Sequence, residues 1–107
     1  MKKLFPVFIS LILIISACAT DLRVNGFVFT NNGTPIENAS VTIERAKKTF
    51  ETTTDRSGYY VFNNLTSGTW EITVDKEGYE MQSEKVSING SGGNIYFRDF
   101  ELKKAVP

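Results

Sequence analysis

The side chain of most chemical interest in this sequence is the thiol of Cys18, the single cysteine among 107 residues. One cysteine cannot form an internal disulfide, so the folded state must be stabilised by its apolar core. The chain contains no histidine, which removes the commonest general base and the commonest metal ligand. These residue types predict a protein that is not an enzyme, with no catalytic residues, no metal and no cofactor.

An apolar segment ends just before Cys18. Two lysines open the chain, and residues 4–15 are almost wholly apolar. A segment of about 12 residues is too short for an ordinary membrane-spanning helix, which needs roughly 20. Positive charge, a short apolar segment and small residues after it are typical of a cleaved signal peptide, which we predict over residues 1–17.

The end of this segment, Ile15-Ser16-Ala17-Cys18, resembles the lipobox of bacterial lipoproteins: an aliphatic residue, two small residues and cysteine. The resemblance implies that the signal peptidase recognises Ile15, Ser16 and Ala17, and that Cys18 carries fatty acyl chains such as palmitate. Each buried methylene contributes about 0.8 kcal/mol, so two or three chains give durable membrane attachment. The alternative is an ordinary signal peptide followed by a chance cysteine.

The same resemblance implies a location in the bacterial cell envelope. Ala19 follows the cysteine, where an aspartate tends to retain lipoproteins in the inner membrane of enteric-type bacteria. We therefore expect attachment to the outer membrane in a host that has one, and otherwise to the outward face of the cytoplasmic membrane.

Charge contributes little to the predicted attachment. The 12 basic residues balance the 12 acidic ones, and loss of the signal segment with its two lysines leaves a net charge of −2. Such a balance predicts no nucleic-acid partner and no electrostatic attraction to an anionic bilayer. About four residues separate Cys18 from the first predicted strand, and they reach at most about 15 Å. We therefore expect one end of the domain to face the lipid headgroups.

After Cys18 the sequence predicts strands. Apolar residues alternate with polar ones, as at Trp70, Ile72 and Val74, and no 3.6-residue periodicity is sustained. Turns rich in glycine and asparagine separate these runs. The pattern predicts an all-β fold, a seven-stranded antiparallel Greek-key β-sandwich. The strands are expected near residues 23–29, 40–46, 48–54, 59–63, 69–75, 79–88 and 94–102.

Several motifs then occur in a recognisable order. They are Val24-Asn25-Gly26-Phe27-Val28, Gly33-Thr34-Pro35 to Ala39-Ser40-Val41, Thr54-Asp55-Arg56-Ser57-Gly58-Tyr59-Tyr60, the run through Trp70 to Val74, Gly78-Tyr79, and Phe100-Glu101-Leu102. In this order they resemble the carboxypeptidase regulatory-like domain, which has a transthyretin-like (prealbumin-like) fold. Together with the lipobox, this resemblance divides the chain into four parts. They are a signal peptide (1–17), a lipidated N-terminus and tether (18–22), the domain (23–102) and a tail (103–107).

Physical roles follow for some of the matching residues. We expect core positions for Trp70, Tyr60 and Phe62, a turn-capping role for Asp55, positive φ at Gly58 and Gly78, and close packing at Ala39.

Three kinds of covalent chemistry known from related proteins are not predicted. A transthyretin-like hydroxyisourate hydrolase would need histidines, and a metallocarboxypeptidase would need a separate catalytic domain. A Lys–Asn crosslink would need a lysine in the first strand, where this chain has Arg23. A calcium site at Asp55 is not supported by a dense acidic loop, so turn capping is the better interpretation.

Strand alternation also predicts a surface. If Val24 and Val28 face inward, Phe27 and Phe29 face outward, where Tyr59 is able to join them as an interaction surface. The alternative is that a loop or the last strand covers these rings. Two functions remain open: a membrane-anchored, non-catalytic module that docks another envelope protein, or a carbohydrate-binding module of the starch-binding type that binds a glycan. Three clustered, exposed aromatics would favour sugar, and one apolar patch rimmed by charge would favour protein.

Overall fold

The computed structural model describes residues 22–90 and 93–106. The predicted signal peptide and the lipobox residues Ile15, Ser16, Ala17 and Cys18 lie outside these ranges. Within them the chain forms eight strands. They are β1 (Leu22–Thr30), β2 (Ser40–Arg45), β3 (Lys48–Thr53), β4 (Tyr59–Leu65), β5 (Gly68–Asp75), β6 (Gln82–Ile88), β7 (Ile95–Phe97) and β8 (Phe100–Leu102).

The strands form two four-stranded sheets that pack face to face. The first has the order β4-β1-β7, with β8 also paired to β1, and the second has the order β3-β2-β5-β6. The largest fully buried side chains are those of Trp70 and Tyr60, and Phe62 and Ala39 are also buried between the sheets. The predicted all-β sandwich and these predicted core residues are confirmed.

The last predicted strand, over 94–102, differs from the prediction. It divides into β7 and β8, and both run parallel to β1 rather than antiparallel. The parallel direction of β7 and β8 follows from the connection after β6. The chain leaves the end of β6 and enters the other sheet beside the start of β1, so it then runs the same way as β1. The break falls where the backbone of Arg98 crosses Gly26: a Cβ on Gly26 would lie 2.6 Å from the carbonyl carbon of Arg98.

An irregularity in β4 sets which of its side chains reach the core. Phe62 and Leu65 are an odd number of residues apart, yet both are buried. The register of β4 against β1 shifts between the pairs at Leu22 and Val24, and Asn64 has φ 59°. A bulge at Asn64 therefore turns Leu65 back into the core.

The segment before β6 also differs from the predicted strand over 79–88. Regular pairing begins only at Gln82, while Tyr79 forms an isolated antiparallel bridge with Lys104. Residues 79–81 therefore leave the second sheet and contact the chain just after β8.

Turn residues behave as predicted. Oδ1 of Asp55 accepts hydrogen bonds from the backbone N–H of Ser57 (2.8 Å) and of Tyr59 (3.0 Å). Gly58 and Gly78 have φ 79° and 90°.

Candidate interaction surface on the first sheet

The solvent-facing side of the first sheet carries a cluster of mostly apolar side chains, which we call the outer aromatic face. It comprises Asn25, Phe27, Tyr59, Ile95 and Phe97. The strand pairs place them together: Phe27 lies opposite Tyr59, and Asn25 lies opposite Phe97. Paired residues point to the same side of a sheet, so β4, β1 and β7 each contribute to one surface.

Two of the three predicted surface residues form the centre of this face. Phe27 is 44% exposed, and its ring centroid lies 5.3 Å from that of the half-buried Tyr59. Phe29 lies further along β1, where it is half-buried between Glu101 of β8 and an isolated bridge to Pro35. Phe29 therefore lies at the margin of the face, because neighbouring chain flanks β1 on both sides at that point.

Two residues of the face were missed at the sequence level. Phe97 is 68% exposed and Ile95 is 49% exposed. The spacing of Ile95 and Phe97, two residues apart, was the available signal, since such residues share one face of a strand. The single strand predicted over 94–102 hid it, because the break after β7 ends the alternation.

Asn25 is the unusual member of the face. It is 7% exposed, and its Nδ2 donates a hydrogen bond of 3.2 Å to the hydroxyl oxygen of Tyr59. Its Oδ1 is buried without a hydrogen-bond partner among the residues the structure describes. A buried acceptor that stays unpaired costs a folded domain about 1–3 kcal/mol. No sequence pattern revealed it, because alternation assigns Asn25 only to the solvent side.

Charged side chains surround the face. Arg23 lies opposite Ile95 across β1 and β7, so the two side chains point to the same side of the sheet. One carboxylate oxygen of Asp99 accepts a 2.9 Å hydrogen bond from the backbone N–H of Phe27. The arrangement is one apolar patch with a charged rim.

The rings do not form a flat platform. The planes of Phe27 and Tyr59 are inclined by 55°, and an aliphatic side chain, Ile95, lies on the same surface. A sugar ring stacks best on aromatic faces that share one plane, and this surface does not offer that arrangement.

Metal centres and membrane-spanning helices are two further features that would bear on function. In the described ranges, no group of three or more His, Cys, Asp or Glu side chains is placed to hold a metal ion. Across residues 22–90 and 93–106, no helix is long and apolar enough to cross a bilayer.

Comparison with known proteins decides the family. Residues 23–103 match the carboxypeptidase regulatory-like domain. The chain belongs to this family. A carboxypeptidase regulatory-like domain was the resemblance expected from the ordered motifs, and the domain is confirmed.

Two similar proteins are much longer than this chain. Structural protein 27 of a virus (isolate Australia/Victoria) is 37% identical over 81 residues, which are 76% of this chain and 14% of that protein. The TIE protein of Bacillus anthracis superposes with a TM-score of 0.66 at 22% identity, covering 79% of this chain and 17% of that one. This chain therefore spans under a fifth of the length of either protein.

The same fold also occurs in an enzyme. A 3-chlorocatechol 1,2-dioxygenase of Rhodococcus opacus 1CP superposes with a TM-score of 0.66 at 12% identity, covering 82% of this chain and 61% of that one. The fold alone therefore does not distinguish a binding module from a catalyst, and the function must be argued from the surface.

Proposed function

We propose that this chain is a bacterial lipoprotein, held in the cell envelope by acyl chains on Cys18, and that its carboxypeptidase regulatory-like domain is a non-catalytic module that docks another envelope protein. The observation that carries the docking role is the outer aromatic face, in which exposed rings lie on the same side of the sheet as Asn25, whose buried Oδ1 has no partner among the described residues.

The chemistry of the face fits a protein partner. Interfaces between proteins have an apolar centre enriched in aromatic residues and a polar rim, which matches Phe27 and Phe97 within their charged surround. A partner that supplies an N–H or O–H donor to Oδ1 of Asn25 would remove the desolvation cost of that atom. The cost borne by the free domain would then contribute to affinity in the complex.

A glycan is the weaker candidate. The inclination of 55° between the rings of Phe27 and Tyr59 denies a sugar its stacking platform. The aliphatic side chain of Ile95 adds contact area but no sugar-specific interaction. By the criterion derived from the sequence, one apolar patch with a charged rim favours protein.

The lipid anchor has its own test. Mass spectrometry of the protein purified from membranes should find acyl chains on Cys18 as the first residue. The Cys18→Ser variant should no longer fractionate with membranes, because it carries no acyl chain. Each buried methylene of such a chain contributes about 0.8 kcal/mol to membrane binding. An unmodified thiol, or cleavage at another bond, would contradict the anchor and leave the docking proposal standing.

Docking is tested in intact cells with the full-length protein. A photoreactive phenylalanine analogue in place of Ile95, on the rim of the exposed rings, should crosslink one discrete protein. Phe27→Ser in the same chain should reduce that crosslink at least about tenfold, as for an aromatic hot spot. The matched control is Met81→Ser, since Met81 is 62% exposed but lies in the segment before β6, outside the face.

Two results would overturn the docking role. One is a crosslink that Phe27→Ser and Met81→Ser reduce equally. The other is retention of the protein on an immobilised polysaccharide that Phe27→Ser abolishes, which would assign the face to a glycan.

A further inference from the structure

The strand directions bring four chain segments to one end of the sandwich. Leu22, at the start of β1, pairs with Leu65 at the end of β4, and Gly68, at the start of β5, pairs with Ile88 at the end of β6. The β2–β3 hairpin turns there as well: a Cβ on Gly68 would lie 2.7 Å from Cζ of Arg45. We call this the tether end, because the chain enters the domain there. It comprises residues 22–23, 45–48, 65–69, 88–90 and 93–95.

The tether end is basic. Its charged residues are Arg23, Arg45, Lys47 and Lys48, and no acidic residue occurs within the described segments that form it. Arg45, Lys47 and Lys48 are all exposed. Asp21, outside the described residues, is joined to Leu22 and reduces this local charge by one.

The opposite end has a different balance. Its turns carry the acidic residues Glu37, Asp55, Asp75, Glu77 and Glu80 together with basic residues such as Lys103 and Lys104. The acidic residues nearest to the hairpin tip are Glu44, which directly precedes Arg45, and Glu71, which lies opposite Glu44 on β5. Residues 45–48 of the tip carry three positive charges and no negative one. A nearly neutral chain is therefore folded into a domain with one basic end.

We infer that the tether end is a second membrane contact, in which Arg23 and the hairpin Arg45–Lys48 bind anionic lipid headgroups. The inference rests on the proposed acylation of Cys18, which is four residues from Leu22 in the sequence and so within about 15 Å of it. Attraction to a charged surface acts over a Debye length of about 8–10 Å, so a tether this short keeps the basic end within range. The balanced charge of the sequence predicted no such attraction, because a sum over the chain ignores which end carries the charge.

The contact would orient the domain. Anchoring at Cys18 alone leaves the sandwich free to tilt on its tether. Headgroup binding by the hairpin holds the tether end against the bilayer, with the turns at Gly33 and Asp55 facing away. The outer aromatic face then lies on the side of the domain, where a partner in the same membrane reaches it.

The test uses the mature, acylated protein reconstituted in vesicles. Because Cys18 is acylated, Thr66→Cys supplies a single free thiol at the tether end for a fluorophore, and Asn32→Cys supplies one at the opposite end. Quenching by a nitroxide on the lipid headgroup is compared between phosphatidylcholine vesicles and vesicles with equal parts of phosphatidylglycerol. We expect phosphatidylglycerol to increase quenching at Thr66→Cys at least twofold and to decrease it at Asn32→Cys.

The charge variants identify the groups responsible. Each basic side chain near an anionic surface raises the equilibrium constant for contact about fivefold. The double variant Lys47→Gln with Lys48→Gln should therefore weaken the contact about 25-fold. Its quenching should return to the value found with neutral vesicles. Lys103→Gln with Lys104→Gln makes the same charge change at the opposite end and should leave quenching unchanged. Salt at about 1 M, where the Debye length is about 3 Å, should act like loss of Lys47 and Lys48.

The outcomes separate the two proposals. Protein that floats with both kinds of vesicle but shows equal quenching at Thr66→Cys in each overturns the headgroup contact and leaves the anchor intact. An equal effect of the two lysine pairs also overturns it. Protein that fails to float with neutral vesicles overturns the anchor and, with it, this inference.

Discussion

The hydroxyl of Tyr60 donates a hydrogen bond of 2.6 Å to the backbone carbonyl oxygen of Arg98. This bond joins the core side of β4 to the break between β7 and β8, where the backbone passes over Gly26. On one side of the break Phe97 faces solvent, and on the other Phe100 is buried with its ring centroid 6.4 Å from that of Tyr60. A core tyrosine therefore helps to present an aromatic ring of the outer face.

The first prediction concerns the ionisation of Tyr60. Burial raises the pKa of Tyr60 far above its usual value, the charges of Asp99 and Glu84 raise it further, and Arg98 opposes them. The unfolded chain ionises this phenol near pH 10 and the folded chain does not, so the stability of the wild type falls as pH rises above about 10.

The variant Tyr60→Phe isolates this effect. At pH 7 it should be less stable by about 1–2 kcal/mol, because the carbonyl of Arg98 loses its donor. The difference in free energy of unfolding should narrow between about pH 9.5 and 11, since only the wild type loses stability through this phenol. Urea unfolding across that range measures it. A difference that stays constant would contradict the protonated, bonded state of Tyr60.

The second prediction tests the crossing at Gly26. Gly26→Ala places a Cβ against the backbone of Arg98, and we expect a loss of about 2–3 kcal/mol from overpacking. Gly33→Ala is the control, since a Cβ there meets no atom within 4 Å, although its φ of 88° still costs about 1 kcal/mol. Equal shifts of the urea midpoint would show that the crossing is not tightly packed.

The third prediction tests the bulge in β4. Asn64 has φ 59°, a left-handed conformation that glycine adopts without cost and β-branched residues resist. We expect Asn64→Gly to stay within about 0.5 kcal/mol of the wild type and Asn64→Val to lose about 2 kcal/mol. Thermal or urea unfolding ranks the two variants. A loss in Asn64→Val no larger than that in Asn64→Gly would contradict the bulge at Asn64 as the reason that Leu65 is buried.

The fourth prediction compares two buried polar residues. The Thr54 hydroxyl donates to the carbonyl of Ile36 (2.6 Å) and accepts from the N–H of Ala39 (2.9 Å), whereas Oδ1 of Asn25 has no partner among the described residues. Thr54→Val should lose about 2–3 kcal/mol, because two backbone groups become unpaired. Asn25→Leu removes this acceptor together with the bond from Nδ2 to the Tyr59 hydroxyl, so the free energy of unfolding should stay within about 1 kcal/mol of the wild type.

This fourth comparison also bears on the docking role. If Asn25 is retained for a partner, Asn25→Leu should weaken the crosslink at Ile95 while the domain stays fully folded. A clear loss of stability in Asn25→Leu would instead make the residue a structural one, with its amide satisfied in the folded domain.

Much of the fold was predictable from local patterns. Alternation at Trp70, Ile72 and Val74 predicted a strand with one buried face, because a pleated strand turns successive side chains to opposite sides. Asp55 and Gly58 predicted a turn from their own chemistry, since an Asx carboxylate caps nearby amides and glycine accepts positive φ. Such signals depend on neighbours a few residues apart, which the sequence displays directly.

The sequence by itself determined the fold class, the turns, the family and the outward direction of Phe27. Only the tertiary structure decided that Phe97 joins Phe27 and that the hairpin Arg45–Lys48 lies at the same end as Leu22. It also decided that Oδ1 of Asn25 is buried with no partner in residues 22–90 and 93–106. The physical reason is that these relations join residues distant in the sequence. They depend on the direction in which β7 enters the first sheet and on how the strands pair, and no local periodicity encodes either.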